Sequence, residues 1–367
     1  MTIVEENKIT PGQLMFFIIQ TQVGVGILYL PSRVEAIAKG DAWISVLLAG
    51  FFAQLIIVVM WDLARKFPTL TIFDYMHLLL GKALGRIVHV LFAAFFIFQS
   101  SLILVLFADV IRDWMFTETP KWVILSLIVM VCAYLVQDSV QTIARFFVLV
   151  SGLILVLILI AAYAYSQADF LYILPVGQAG LLSIVKGMNE TMSSIYGFEM
   201  ILVCYPYVEG GSKGKLKAVL FGHIFSTLLY TFMVFTCLVV FTQLELKIIP
   251  QPVLYMIKAL SFSIIERPDL YFLSIWVIVV ATSVMAYLFM AVKGVSRLFG
   301  QEQHNKVVPY VTIVVFMIAL VPQNQAMIGA LLKMVSYLSY IFILGLPIFL
   351  LIVHYSMRIF RKRRALA

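Results

Sequence analysis

Two stretches of this chain place polar side chains inside otherwise apolar sequence. The segment from Asn189 to Glu199 holds two carboxylates (Glu190 and Glu199), one amide (Asn189) and the hydroxyls of Thr191, Ser193 and Ser194, and it contains Tyr196 and Gly197. Near the N-terminus the run Gln20-Thr21-Gln22 leads directly into Gly24-Val25-Gly26, and Pro31 follows. Buried carboxylates and amides can hold a proton, an ammonium group or a carbonyl. Two glycines two apart remove side-chain bulk and weaken a helix by roughly 1 kcal/mol each. A helix broken at such a point turns open N–H groups toward an anion and open carbonyls toward a cation. For either motif alone, the competing reading is that glycine lets neighbouring helices pack closely.

Other chemistry is excluded more easily. The five histidines, His77, His89, His223, His304 and His354, are dispersed without metal-ligand spacing. Cys132, Cys204 and Cys237 are too few and too scattered for a disulfide framework or a metal site. A phosphate-cradling glycine loop and a nucleophile elbow are both missing from the sequence. No enzyme activity, cofactor or metal is expected.

The elements that must position these residues follow from composition. Of 367 residues, 63% are hydrophobic and only 12% charged, against about 25% charged in soluble domains. The mean hydropathy is +1.05. A span needs about 20 mostly apolar residues, and on that basis the chain divides into ten: 12–37, 42–65, 84–110, 121–137, 143–166, 182–207, 215–243, 269–294, 305–321 and 336–357. The stretch from Pro250 to Ile265 is apolar but short, and reads as a helix lying at the surface before the eighth span.

The polar N-terminus, with Glu5, Glu6 and Lys8, is not a cleavable signal sequence, so the first span is retained. With both termini cytoplasmic, 17 of the 26 lysines and arginines fall on the inside, including the tail residues Arg358, Arg361, Lys362, Arg363 and Arg364. The net charge of +8 is therefore read as anchorage to anionic lipid, and no nucleic-acid binding is expected. The two interrupted spans are the first and the sixth of ten. That is the pattern of a single transmembrane domain built as an inverted five-plus-five repeat, residues 1–166 and 182–357 with a basic tail at 358–367, whose binding site lies at the midplane.

These residues carry a resemblance. Gly24-Val25-Gly26-Ile27 is similar to the first-helix glycine motif of the amino acid–polyamine–organocation transporter superfamily, and Tyr196-Gly197-Phe198-Glu199 to its sixth-helix signature. Ile9 to Gln13, Gly24 to Pro31, the loop from Phe67-Pro68 to Gly81-Lys82 and the basic tail resemble the endospore germination family, the B subunits of GerA-type nutrient receptors. The resemblance implies an all-α integral membrane protein with the LeuT-like fold, and a ligand held among helices one, three, six and eight. It points to Gly24 and Gly26 as backbone donors, to Gln99, and to Tyr196, Gly197, Glu199, Ser283 and Tyr287. For Glu199 several readings stand: pairing with a ligand amine, bonding the unwound backbone, gating by taking up a proton, or tethering the broken helix. Gln99 either meets the ligand or bonds a neighbouring helix, and Tyr287 either shares a face with Ser283 or simply fills space.

Thr282 and Ser283 are similar to the hydroxyl pair that helps bind sodium in LeuT-like symporters. Residues 146–165 contain no lysine, which argues against the helix-five lysine of proton-coupled relatives. The resemblance further implies a nutrient sensor in the spore inner membrane, assembled with an A-type subunit and a lipoprotein C-type subunit. The rival expectation is an amino acid permease.

Overall fold

In the computed structural model the described residues are 8–260, 266–301 and 303–366, the last seven by backbone alone. Glu5, Glu6, part of the expected 250–265 helix and most tail side chains lie outside them. The chain runs α1 (Pro11–Gln22), α2 (Gly26–Ala38), α3 (Ala42–Ala64), α4 (Ile72–Leu80), α5 (Lys82–Trp114), α6 (Lys121–Val136), α7 (Val140–Ala162) and α8 (Gly180–Ile195). It continues through α9 (Met200–Cys204), α10 (Ser212–Val240), α11 (Gln243–Ile248), α12 (Pro252–Ala259), α13 (Pro268–Leu298), α14 (Val308–Leu320), α15 (Gln325–Ser339) and α16 (Leu346–Leu366).

Among the described residues six helical stretches are long and apolar enough to cross a bilayer by themselves, and two more, Lys121–Val136 and His304–Leu320, are shorter. Taken with the two divided passages, α1–α2 and α8–α9, the described residues follow the expected succession of ten. The exposed faces carry Phe51, Leu55 and Val58 on α3, Leu127, Val131 and Tyr134 on α6, and Leu149, Leu155 and Leu159 on α7. Apolar surface on this scale is at home only in lipid.

Local sequence sets the helix ends. At α1, Thr10 and Gln13 form a reciprocal capping box, with Thr10 N–H donating to Gln13 Oε1 at 2.9 Å, and Pro11 takes the first turn where no donor is needed. The chain turns at Lys39, where φ is +49°. Asp41 then accepts from the N–H groups of Gly177 (2.7 Å) and Ala179 (2.9 Å), fastening the start of α3 to the approach of α8. α13 is the central post, its spanning window 83% buried. It packs against α1, α5, α6 and α7.

Two expectations need correction. The last passage begins at Gln325, not 336: Asn324 caps it, accepting from Met327 N–H at 2.9 Å. The helix also continues through Pro347 because the turn before it, Tyr340–Gly345, widens to a π-helix. A proline removes a helix donor and crowds the preceding turn, and the wider turn accommodates it. The helix before the eighth passage is not superficial either. Pro252, Val253, Leu254, Met256 and Ile257 of α12 are buried, because its apolar face packs on α2 and α13. Gln251 secures it, accepting from Trp114 Nε1 at 2.6 Å and donating to Tyr29 Oη at 3.1 Å.

α3 and α10 meet so closely at Gly50 that a Cβ there would overlap the Thr227 side chain, with Oγ1 at 2.6 Å. Gly50→Ala is expected to destabilise the protein by about 1–3 kcal/mol, read as a lower melting temperature in detergent. Thr227→Ala in the same chain should restore most of the loss, and an unchanged melt for the single variant would show that the two helices separate freely.

Candidate functional site

The first passage breaks at Val23–Val25 and the sixth at Tyr196–Glu199, and the two breaks touch. Gly197 has φ +131°, a conformation that L side chains rarely adopt, and a Cβ on it would lie 2.9 Å from Gln22 Cγ and 3.0 Å from Thr21 Cγ2. Only glycine meets both conditions here.

The open carbonyls at the end of α1 are met by side chains from two other passages. Ser283 Oγ lies 2.9 Å from both Gln20 O and Val23 O. Tyr230 Oη donates to Gln22 O at 2.9 Å. Thr282 Oγ1 lies 2.6 Å from Gln20 Oε1 and from Val279 O, while Gln20 Nε2 donates to Ser151 Oγ at 3.0 Å, tying α1 to α7 and α13. Ser283 is therefore a donor to the broken backbone, and Thr282 fixes the Gln20 side chain. Among the described residues no cluster of His, Cys, Asp or Glu has the makings of a metal site.

Glu199 answers the other break. Its Oε2 accepts from Gly197 N–H at 2.7 Å and its Oε1 from Tyr287 Oη at 3.0 Å, with the residue fully buried. Gly197 and Glu199 are absent from the cavity wall, and the carboxylate holds the head of α9 in place. In this arrangement both Glu199 oxygens are engaged as a tether.

A cavity of about 80 Å³ lies beside the breaks, lined by Gly24, Gly26, Gln99, Tyr196, Ser283 and Tyr287 among the residues singled out from sequence. That is room for several waters or a small solute. Sequence reasoning missed Thr21, Gln22, Arg33, Ser193 and Ser194, and it missed two further walls: α10, which brings Tyr230, and α15, which brings Ser336 and Ser339. The signals were present: Gln22 belongs to the polar run before the glycines, and Ser336 and Ser339 stand three apart on one helical face. Gly26 lets Ser194 approach, since a Cβ there would lie 3.0 Å from Ser194 Cβ and 3.3 Å from Tyr230 Oη.

Three buried polar atoms on this wall have no hydrogen-bond partner among the described residues: Gln22 Oε1, Gln99 Oε1 and Tyr196 Oη. At the head of α2, Ile27 and Leu28 bond back to Gly24 and Val25, leaving no acceptor for the Val25 and Gly26 N–H groups among the described residues. Each such group left dry costs about 1–3 kcal/mol. A larger groove of about 860 Å³ between α5, α6, α7 and α13 is walled almost entirely by apolar side chains such as Leu127 and Val131, and faces lipid. It lacks the means to orient a polar solute. Ahead of α1 a short backbone bridge, Ile9 N–H to Tyr207 O and Glu209 N–H to Ile9 O, both 2.9 Å, ties the N-terminal segment to the residues after α9.

Comparison with known proteins places this geometry. Residues 8–328 match the spore permease family, described as spore germination protein. The spore germination protein GerQB of Bacillus cereus is 27% identical over 352 residues, covering 95% of this chain and 96% of GerQB. Among solved structures, MhsT in complex with L-phenylalanine superposes with a TM-score of 0.65 at 15% identity, over 92% of this chain and 87% of that one. Mhp1, a nucleobase-cation-symport-1 family transporter, gives a TM-score of 0.66 at 10% identity, over 94% and 78%. These likenesses establish the LeuT-like membrane transporter fold.

The tether role of Glu199 can be tested directly. Glu199→Met leaves the Gly197 N–H and Tyr287 hydroxyl without an acceptor and is expected to cost at least about 1–3 kcal/mol, measured by thermal unfolding without added solute. Glu199→Gln keeps an acceptor for Gly197 and can donate to Tyr287, so its melt should stay close to native. Equal melts for both variants would refute the tether.

Proposed function

The chain belongs to the spore germination protein family, and from that membership we propose that it is the nutrient-sensing membrane subunit of a germination receptor, taking a small polar molecule such as an amino acid into the cavity beside the two breaks. The observation that carries this reading is that Gln22, Gln99 and Tyr196, each with a buried side-chain atom that has no hydrogen-bond partner among the described residues, line one cavity. An idle structural cavity gains nothing from three dry polar atoms. Gly24 and Gly26 supply the opening in α1–α2, Gln99 and Tyr196 the polar grip, and Ser283 and Tyr287 the framework behind it.

In this reading the ligand stabilises one arrangement of the broken passages over another, and only its differential affinity for the two can shift the balance. The shift passes to an A-type subunit and a lipoprotein C-type subunit in the spore inner membrane. Both termini are cytoplasmic, in keeping with 17 of 26 basic residues on that side and an even number of passages.

Gln99→Ala is expected to raise the nutrient concentration needed for half-maximal germination by about tenfold, the equivalent of one polar contact, at unchanged protein level and melting temperature. An unaltered threshold would leave the cavity without a sensing role. Purified protein in vesicles distinguishes sensing from permeation: labelled amino acids should bind without counterflow, and sustained counterflow would make the protein a permease.

A further inference from the structure

His223 of α10 lies fully buried directly behind Gln22, and its hydrogen bonds admit one protonation state. Gln22 Nε2 is 2.5 Å from Ile195 O and 2.8 Å from His223 Nδ1. A backbone carbonyl can only accept, so the amide must turn its NH2 toward Ile195, which is why Oε1 is the atom left without a partner. The second amide hydrogen then points at His223 Nδ1, which must carry a lone pair. The ring proton sits on Nε2, 3.2 Å from Gly50 O and 3.4 Å from Thr227 Oγ1. His223 is thus the neutral Nε2–H tautomer.

An imidazolium would break this set. Its Nδ1–H would meet the Gln22 N–H head on. Turning the amide over would give Nδ1–H an acceptor, but would set Gln22 Oε1 against Ile195 O at the spacing now held by a hydrogen bond. A proton on His223 and the Gln22–Ile195 bond therefore exclude each other. Ile195 ends α8 and Gln22 ends α1, so this bond is a direct tie between the two breaks on the cavity side.

No charged group touches the ring to confuse the outcome, among the described residues. From α3 it faces the Gly50 carbonyl, and from the sixth-passage break the Phe198 ring, 5.6 Å away and edge-on. On its own helix it faces Thr227, while Tyr230 one turn further is engaged with Gln22 O. Glu199, next after Phe198, is engaged with Gly197 and Tyr287, and Tyr196 lines the cavity.

We propose that His223 is a proton-binding site whose occupation releases Gln22 from Ile195 and lets the ends of α1 and α8 part. When the Gln22 amide swings off Nδ1, a hydronium ion from the aqueous phase gives its proton to that lone pair: one O–H bond of the hydronium breaks, one N–H bond forms, and a water molecule is left. A proton at His223 and the arrangement that encloses the cavity oppose each other, so by linkage whatever favours one disfavours the other. Its bearing on nutrient sensing rests on the ligand reading of the cavity, but the proton site itself does not.

The test needs no ligand. Ser194 lines the cavity under Gly26, and Ser194→Cys in the full-length protein reports access to the break through its rate of modification by a methanethiosulfonate reagent. The three native cysteines are buried. Rates are taken as the ratio to the same protein carrying His223→Gln, which removes the intrinsic pH dependence of the thiol. The ratio should rise about fivefold or more between about pH 8 and about pH 5, with the slope of a single proton. Gln22→Met, which removes the amide that must turn, should abolish the rise, and it provides the reference should His223→Gln fail to fold. A flat ratio in the parent protein, or a rise that survives Gln22→Met, would overturn the proposal. Absence of any nutrient binding would defeat the sensor reading and leave this result untouched.

Discussion

A helix interrupted inside a bilayer exposes backbone groups that water is not there to satisfy, and this single requirement organises the centre of the molecule. The carbonyls of Gln20, Gln22 and Val23 would each be costly if left alone. Tyr230 donates to Gln22 O, the single Ser283 hydroxyl proton is shared between Gln20 O and Val23 O, and Thr282 holds the Gln20 side chain. Those donors come from α13 and α10, which explains why the most buried passage in the protein also carries hydroxyls. The Glu199 carboxylate performs the reciprocal task at the sixth-passage break, taking the Gly197 N–H.

The satisfaction is uneven. The end of α1 is met by side chains, whereas Gln22, Gln99 and Tyr196 each keep a buried atom with no hydrogen-bond partner among the described residues. Ser283 and Tyr287 touch the cavity yet use their hydroxyls on the scaffold. Their replacement would disturb the frame as well as the wall.

Much of this was legible in the chain. Ten apolar stretches and two polar interruptions are one-dimensional signals, and residues such as Gly24, Gly26, Gln99 and Tyr196 lie where those signals put them. What the linear pattern hid was direction. Glu199 and Tyr196 are three residues apart, yet one points into the tether and the other into the cavity, because Gly197 reverses the backbone between them. The contribution of α15 was hidden for another reason: Lys333 and Ser336 interrupt the hydrophobic run, so the last passage reads as starting late. The fit of α12 into the bundle depends on partners from α2 and α13 that no short-range pattern encodes.

The fastening of that loop helix has a mechanical side. Gln251 uses one end of its amide on Trp114 of α5 and the other on Tyr29 of α2, and is itself buried. The outer parts of those two helices cannot part without stranding both ends of one amide at once. Each stranded group is worth about 1–3 kcal/mol, so separation there is a threshold event and not a gradual widening.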